Sequence, residues 1–318
     1  MTDDYFTGAG GYDREAVRFF DVAHEGAQVR AVAEATGALE RLRGIQPRSL
    51  VIVATDQISR AAAEAAVELR APLLLPVVVT RVLPDYVGPL DIVAVVGECE
   101  DDPRTGEDTR SLLTAAGRGA ETVLAGPARG PITEDAPAST LVLDAPPTAA
   151  GPSPLRAMAL VWALLDAPGT PPEITAEFLR SLADEVDAEL AALSPQRDES
   201  VNAARQLRAF AAGANVVHTG SGPCGRAVAA LAARIWSARG MPSGFAAPVE
   251  ELPAPDIFHD PYLDEGAAVV PLRTVVWAEA ASSLPVSRAE FAEPTGLGDS
   301  SAAARLVVRA FAATAMEA

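Results

Sequence analysis

Residues 220–225, Gly-Ser-Gly-Pro-Cys-Gly, carry the spacing most suited to chemistry on an anion. The apolar run before them, residues 215–219, predicts a buried strand, and residues 226–238 predict a helix. A tight glycine turn between a strand and a helix exposes backbone N–H groups beside the positive end of the helix, and such turns bind phosphate. The predicted binding residues are Gly220, Ser221 and Gly222.

The same glycine spacing also serves dinucleotides, which need an acidic residue about 20 positions further along the chain. Glu250 and Glu251 are the nearest acidic pair in that direction, and they lie beyond that distance. A phosphate site, a dinucleotide site and a purely structural turn therefore stay open as interpretations.

Two further residues could act on a bound anion. His259 precedes Asp260 in a proline-containing loop, where an imidazole is free to act as an acid or base, although a surface histidine without a role fits the same pattern. Arg156 follows Pro154 at a predicted helix start, where a guanidinium group either clamps an anion or is simply solvated.

Residues 98–102 concentrate four carboxylates directly after a strongly apolar run. Such a cluster either holds a divalent cation or forms a solvated acidic loop. In both cases it is a poor cradle for phosphate, because a carboxylate about 4 Å from a phosphate charge costs about 4 kcal/mol at an effective dielectric constant of about 20.

The elements that must position these residues alternate between strands and helices. This order predicts an α/β fold with two parallel sheets flanked by helices, and a ligand cleft where the carboxyl ends of the strands face the other domain. We expect an N-terminal helical segment at 1–47, a first domain at 48–154, linking helices at 155–200 and a second domain at 201–318. The predicted strands are 50–54, 73–80, 90–96, 121–125, 140–143, 215–219, 245–249 and 274–278, and the main helices are 59–69, 109–117, 155–165, 172–193, 202–212, 226–238 and a last one from about 300.

Composition narrows the function classes. The chain has 43 acidic and 25 basic residues, a net charge of −18, and all its basic residues are arginine. This charge disfavours nucleic acid and anionic membranes as partners, and the absence of lysine excludes a lysine Schiff base and a Walker A loop. No stretch approaches the roughly 20 apolar residues of a membrane span. We expect a cytoplasmic protein without a metal or cofactor.

Several short segments resemble the double sugar-isomerase (SIS) domain proteins, and most closely the bifunctional phosphoglucose/phosphomannose isomerases. The resemblance extends over about 49–305 and implies two flavodoxin-like SIS domains, a sugar-phosphate ligand and a homodimer. The matching segments are Leu-Pro-Asp-Tyr-Val at 83–87, Arg-Gly-Ala-Glu-Thr-Val at 118–123, Pro-Leu-Arg-Ala at 154–157, Asn-Ala-Ala-Arg-Gln-Leu at 202–207, Arg-Ile-Trp at 234–236, and Leu-Pro at 252–253 through His-Asp at 259–260.

The chain departs from that family at the residues that bind phosphate and transfer the proton in the family. The family's first glycine turn matches residues 55–60, which keep only Ser59, and its phosphate loop matches 101–109, which keep Thr109. The glutamate that serves the family as a base has no counterpart at 241–244. The family's ring-opening histidine matches His259, and Glu250 or Glu251 lies close enough in sequence to substitute as the base, of which Glu251 is the residue we predict.

This pattern predicts a divergent sugar-phosphate-binding protein in which aldose–ketose isomerisation is weak or lost. The resemblance implies that His259 and Glu251 are the catalytic candidates, and that Ser59, Thr109 and Arg156 join the glycine turn in binding the substrate. A dinucleotide-dependent oxidoreductase that uses residues 220–225 and a non-catalytic scaffold are the alternatives.

Overall fold

The computed structural model describes residues 13–96, 105–127, 129–146, 151–247, 270–293 and 295–317. The N-terminal segment forms α1 (Arg14–Ala23), α2 (Glu25–Ala35) and a 3₁₀ helix (Thr36–Leu42). The first domain then contains β1 (Ser49–Ala54), α3 (Gln57–Leu69), β2 (Val77–Thr80), β3 (Asp91–Val96), α4 (Thr105–Gly117), β4 (Glu121–Gly126), α5 (Pro131–Glu134) and β5 (Leu141–Asp144). Its five strands are all parallel, in the order β2-β1-β3-β4-β5.

The second domain repeats this plan after the linking helices α6 (Pro154–Asp166) and α7 (Pro172–Ala192). It contains α8 (Ala203–Ala211), β6 (Asn215–Thr219), α9 (Gly222–Ala238), β7 (Ser243–Phe245), β8 (Leu272–Trp277), β9 (Ser287–Glu290) and α10 (Asp299–Ala313). Its four strands are parallel in the order β7-β6-β8-β9, so β1 and β6 hold equivalent places in the two sheets. The predicted α/β fold with two parallel sheets is confirmed.

The apolar run of β1 explains why this strand lies inside its sheet, between β2 and β3. Alternate side chains point to opposite faces of a strand. Leu50 and Ile52 join the larger core, whereas Val51 and Val53 join a smaller core beneath α4 and α5. Both faces are covered by helices, which accounts for a continuous apolar strand without alternating polar residues.

The two domains meet where α3 packs against α9. Both helices are rich in buried alanine on the facing sides, including Ala62 and Ala66 on α3 and Ala229 on α9, and small side chains allow close helix packing. Arg226, in the first turn of α9, donates to Glu68 in the last turn of α3, with Nε and Oε1 2.9 Å apart. The two helices therefore run antiparallel.

This antiparallel arrangement bears on the expected position of the ligand site. The carboxyl edge of the first sheet lies at the start of α3, and that of the second sheet lies at the start of α9. Since α3 has 13 residues, these edges are about 20 Å apart along the helix pair. The carboxyl edges of the two sheets therefore lie at opposite ends of this helix pair, and the expected cleft where the carboxyl ends of the strands face the other domain stays a prediction.

Several element boundaries also differ from the prediction. The strand predicted from residue 73 pairs with β1 only from Val77, because Leu74 is fully exposed and Pro76 has no N–H group to donate. The strand predicted at 245–249 is β7, which ends at Phe245, and residues 248–249 lie outside the described residues. The strand β9 was not predicted, since Ser-Arg-Ala-Glu lacks apolar alternation and forms only an edge strand.

A buried ionic cluster ties the linking helix α7 to the second domain. Arg309 on α10 donates to Glu189 on α7 and to Glu290 on β9, at 2.8 Å in both cases. Both carboxylates are less than a tenth exposed, and each also pairs with a second arginine, Arg305 and Arg288 respectively. Burial opposes the charge of Arg309, but the two carboxylates outweigh it and raise its pKa.

Replacement of Arg309 by methionine tests this cluster. We expect Arg309→Met to lower the free energy of unfolding by about 3 kcal/mol, because two buried carboxylates each lose an ionic partner while the volume of the side chain changes little. Urea unfolding measures the change. The matched control is Arg180→Met, which removes the exposed pair with Glu177 and should cost less than about 0.5 kcal/mol. Equal losses in the two variants would contradict the role of the cluster.

Candidate functional site

The start of α3 is the first of the two sheet edges at which the sequence predicts binding. Asp56 caps this helix, since its Oδ1 accepts from the N–H groups of Ile58 at 2.9 Å and Ser59 at 2.8 Å. Ser59 is fully buried, and its hydroxyl has no hydrogen-bond partner among the described residues. The backbone donors that a phosphate would use are therefore already bound by a carboxylate of the chain itself.

A second buried carboxylate lies at the same edge. Asp108 on α4 accepts from the hydroxyl of Thr55 at 2.9 Å, which joins the start of α4 to the end of β1. Asp108 precedes the predicted ligand Thr109, and both residues make further contacts. The structure thus brings the neighbourhoods of Ser59 and Thr109 together, and substrate binding by these two residues stays a prediction. The structure also places Asp56 and Asp108 there, and two carboxylates disfavour a phosphate at this edge.

Arg156 is buried, so of the two interpretations given above the solvated arginine is wrong. It is 1% exposed, and its guanidinium group donates to the carbonyl groups of Leu143 and, at 3.2 Å, Gly126. These carbonyl groups lie at the carboxyl ends of β5 and β4. Arg156, in the first turn of α6, therefore supplies hydrogen-bond donors to carbonyl oxygens at this edge of the first sheet. Phosphate binding by Arg156 stays a prediction that would require some of these contacts to be exchanged.

The glycine turn of the second domain has a steric reason for each glycine. A Cβ atom on Gly220 would lie 2.6 Å from the backbone of Gly225, and one on Gly225 would lie 2.8 Å from the carbonyl oxygen of Trp277. Gly222 has φ = +64°, which favours glycine, and the space around it is open. Gly225 is thus needed to pack the turn against β8, and Gly220 is needed for the turn to close on Gly225, whether or not a ligand binds.

Gly222 begins α9, four residues earlier than predicted, because Pro223 suits the first turn of a helix. Among the residues that the structure describes, no side chain caps this helix, and Ser221 and Gly222 are exposed. The backbone donors at the start of α9 therefore face outward, in contrast to those of α3. This edge offers the better anion site of the two, although Pro223 removes one donor.

Glu279 is a site residue that the sequence reasoning missed. It follows β8 directly, and its Oε1 accepts from the N–H of Ser221 at 3.3 Å. Ala278, between the strand and Glu279, has φ = +60°, a conformation that is uncommon for residues other than glycine. The rule that marks residues at the carboxyl ends of parallel strands would have found Glu279, since it follows the predicted strand 274–278.

Two titratable residues near the turn are held uncharged. His218 is fully buried, and burial lowers its pKa to about 3, while its Nδ1 accepts from the indole N–H of Trp277 at 3.0 Å. Burial, assisted by Asp299, raises the pKa of Cys224 to about 11. Neither side chain exchanges protons near neutral pH, so neither serves as an acid, a base or a thiolate nucleophile there.

The structure therefore divides the predicted site residues into separate groups. Gly220, Ser221 and Gly222 lie at the start of α9, whereas Ser59 and Thr109 lie at the opposite end of the α3–α9 pair. His259 and Glu251, the catalytic candidates, lie outside the described residues, as does the acidic cluster at 98–102. Their roles stay predictions.

Comparison with known proteins identifies the fold. No protein-family model matches the chain, and neither does any curated protein sequence. Among solved structures, the chain is similar to a Bacillus subtilis protein assigned as a phosphosugar isomerase, with 16% identity and a TM-score of 0.56 over 91% of this chain and 94% of that one.

Two further solved structures give the same result. The C-terminal domain of glucosamine-fructose-6-phosphate aminotransferase from Francisella tularensis is 10% identical, with a TM-score of 0.61 over 96% of both chains. Glucosamine-6-phosphate deaminase from Thermotoga maritima is 10% identical, with a TM-score of 0.52 over 90% of this chain and 92% of that one. The predicted sugar-isomerase-type fold is confirmed by these likenesses.

The steric role of the glycine turn can be tested without a ligand. We expect Gly225→Ala to destabilise the protein by about 1–3 kcal/mol, because the added methyl group meets backbone atoms of β8 and of Gly220 that cannot move independently. Thermal unfolding in buffer alone measures the loss. Gly169→Ala, which meets no atom within 4 Å, is the control and should be nearly neutral. If both variants melt at the wild-type temperature, the packing explanation is wrong.

Proposed function

We propose that this protein is a divergent relative of the phosphoglucose/phosphomannose isomerases. In this proposal it binds a sugar phosphate or related small molecule at the start of α9, and aldose–ketose isomerisation is weak or lost. The observation that carries the proposal is the contrast between the two helix starts. The carboxylate of Asp56 already accepts from backbone N–H groups at the start of α3. At the start of α9, the turn at Ser221 and Gly222 is exposed and has no side-chain cap among the described residues, which leaves backbone donors for an anion.

The fold supports a sugar-phosphate ligand. The solved structures with the same architecture include proteins whose names refer to phosphosugars, fructose 6-phosphate and glucosamine 6-phosphate. Among the described residues, no helix is both long and apolar enough to cross a membrane. A cytoplasmic homodimer is part of the same proposal, by analogy with the family that the sequence resembles.

Two observations support weak or absent isomerisation. The carboxylates of Asp56 and Asp108 lie at the carboxyl edge of the first sheet, and the family's glutamate base has no counterpart at 241–244. Isomerisation between C1 and C2 needs a base and a group that assists ring opening. No described residue at the start of α9 combines these roles, because His218 is held neutral in the core and Glu279 is the single carboxylate that bonds the turn. His259 and Glu251 stay the proposed candidates for any residual activity.

The proposal is tested with fructose 6-phosphate in D₂O, followed by NMR. We expect the sugar phosphate to raise the melting temperature of the protein, while deuterium enters C2 slowly or not at all and little glucose or mannose 6-phosphate forms. Rapid interconversion would contradict the loss of activity. If no melting shift occurs at millimolar ligand, a scaffold is the better interpretation, and a response to NADH alone would favour the dinucleotide alternative.

The role of Glu279 gives a sharper test of where the ligand binds. Glu279→Gln removes a negative charge beside the Ser221 N–H, and we expect fructose 6-phosphate to bind about fivefold more tightly. This corresponds to about 1 kcal/mol for two charges some 4 Å apart in water. Glu177→Gln on the exposed face of α7 is the charge-matched control and should leave the affinity unchanged. Equal affinities for both variants would place the ligand elsewhere.

A further inference from the structure

A cavity of about 740 Å³ lies at the opposite edge of the second sheet from the glycine turn. It is bordered by the amino ends of β6 and β8, by α1, and by the carboxyl ends of α8, α9 and α10. Since β6 has five residues, the cavity lies about 15 Å from the turn. Its volume is within the range of small-molecule sites.

The charged residues that line this cavity are all arginines. They are Arg18 on α1, Arg208 on α8 and Arg239 after α9, and no acidic residue is among the described residues of the lining. This is unusual in a chain with 43 acidic and 25 basic residues. Three guanidinium groups converge there because three separate helices bring them together.

Intramolecular contacts explain only part of this arrangement. Arg239 pairs with Asp21 at 3.8 Å and lies over the ring of Phe311, 5.0 Å from its centroid. Arg208 is in the last turn of α8, where a cation stabilises the helix end, but its buried Nε–H has no acceptor among the described residues. Arg18 is in the middle of α1, and it forms no ion pair within the described parts of the chain.

The rest of the lining is mixed, with Asn215 and Thr314 as its polar side chains. Its exposed apolar residues are Val270 and Pro242, and the rings of Trp236 and Phe311 border the cavity although they are at most 2% exposed. A guanidinium group binds a phosphate through paired hydrogen bonds, and an apolar wall gains from contact with an aromatic body. A ligand that carries both a phosphate group and an aromatic ring would therefore bind here more tightly than inorganic phosphate alone or an uncharged ring alone.

We propose that this cavity binds an organic phosphate monoester with an aromatic body, of which a nucleoside monophosphate is the simplest example. The arginines hold the phosphate, and the body lies against the apolar residues of the lining. The site is independent of the sugar-phosphate site at the start of α9, because the two lie at opposite edges of the sheet.

Isothermal titration with AMP, adenosine and inorganic phosphate tests this inference. We expect AMP to bind at least tenfold more tightly than either component alone. Arg208→Gln and Arg18→Gln should each weaken AMP at least tenfold, since one charge-assisted hydrogen bond contributes about 1.5–3 kcal/mol. Arg197→Gln, an exposed arginine outside the cavity, should change the affinity less than twofold.

The outcomes separate this inference from the proposed function. Far-UV circular dichroism confirms that each variant is folded, and fructose 6-phosphate binding should survive Arg208→Gln. The inference is overturned if AMP fails to bind the wild-type protein at millimolar concentration, or if the folded Arg208→Gln and Arg18→Gln variants bind AMP as well as Arg197→Gln does. Neither result would affect binding at the glycine turn.

Discussion

The close antiparallel contact between α3 and α9 is the constraint on which the rest of the structure depends. Alanines on both helices allow the two sheets to share one apolar core, and the Arg226–Glu68 pair fixes which ends of the helices meet. Because each helix begins at the carboxyl edge of its own sheet, this contact separates the two possible anion sites by about a helix length. The two candidate anion sites are therefore separate along this helix pair.

Charge then determines what each edge can do. Asp56 and Asp108 lie at the carboxyl edge of the first sheet, and in the described part of the chain Glu279 is the carboxylate that bonds the turn of the second. The amino edge of the second sheet carries arginines instead. In a strongly acidic protein, the backbone donors at the start of α9 and the guanidinium groups of Arg18, Arg208 and Arg239 offer positive charge at these two edges of the second sheet.

Much of the fold could be predicted from the sequence, because the strands that form the sheet centres are apolar runs between clear turn signals. β6 was predicted with its observed bounds, and β1 and β3 to within one residue, whereas the short edge strand β9 has no such signal. The candidate sites were harder. Gly220 and Gly225 are close in sequence, but the approach of Glu279 and the meeting of Arg18, Arg208 and Arg239 depend on how distant segments pack.

The central claim is that negative charge from the chain itself, at Asp56 on the start of α3 and at Glu279 beside the turn of α9, weakens the binding of a sugar phosphate. The most direct measurement is the affinity for fructose 6-phosphate of a double variant, Asp56→Ser with Glu279→Gln, compared with that of the wild-type protein. Serine keeps an oxygen that can cap α3, so the helix is retained while the charge is removed. The account predicts binding at least severalfold tighter in the variant. Unchanged or weaker binding by a folded variant would contradict it.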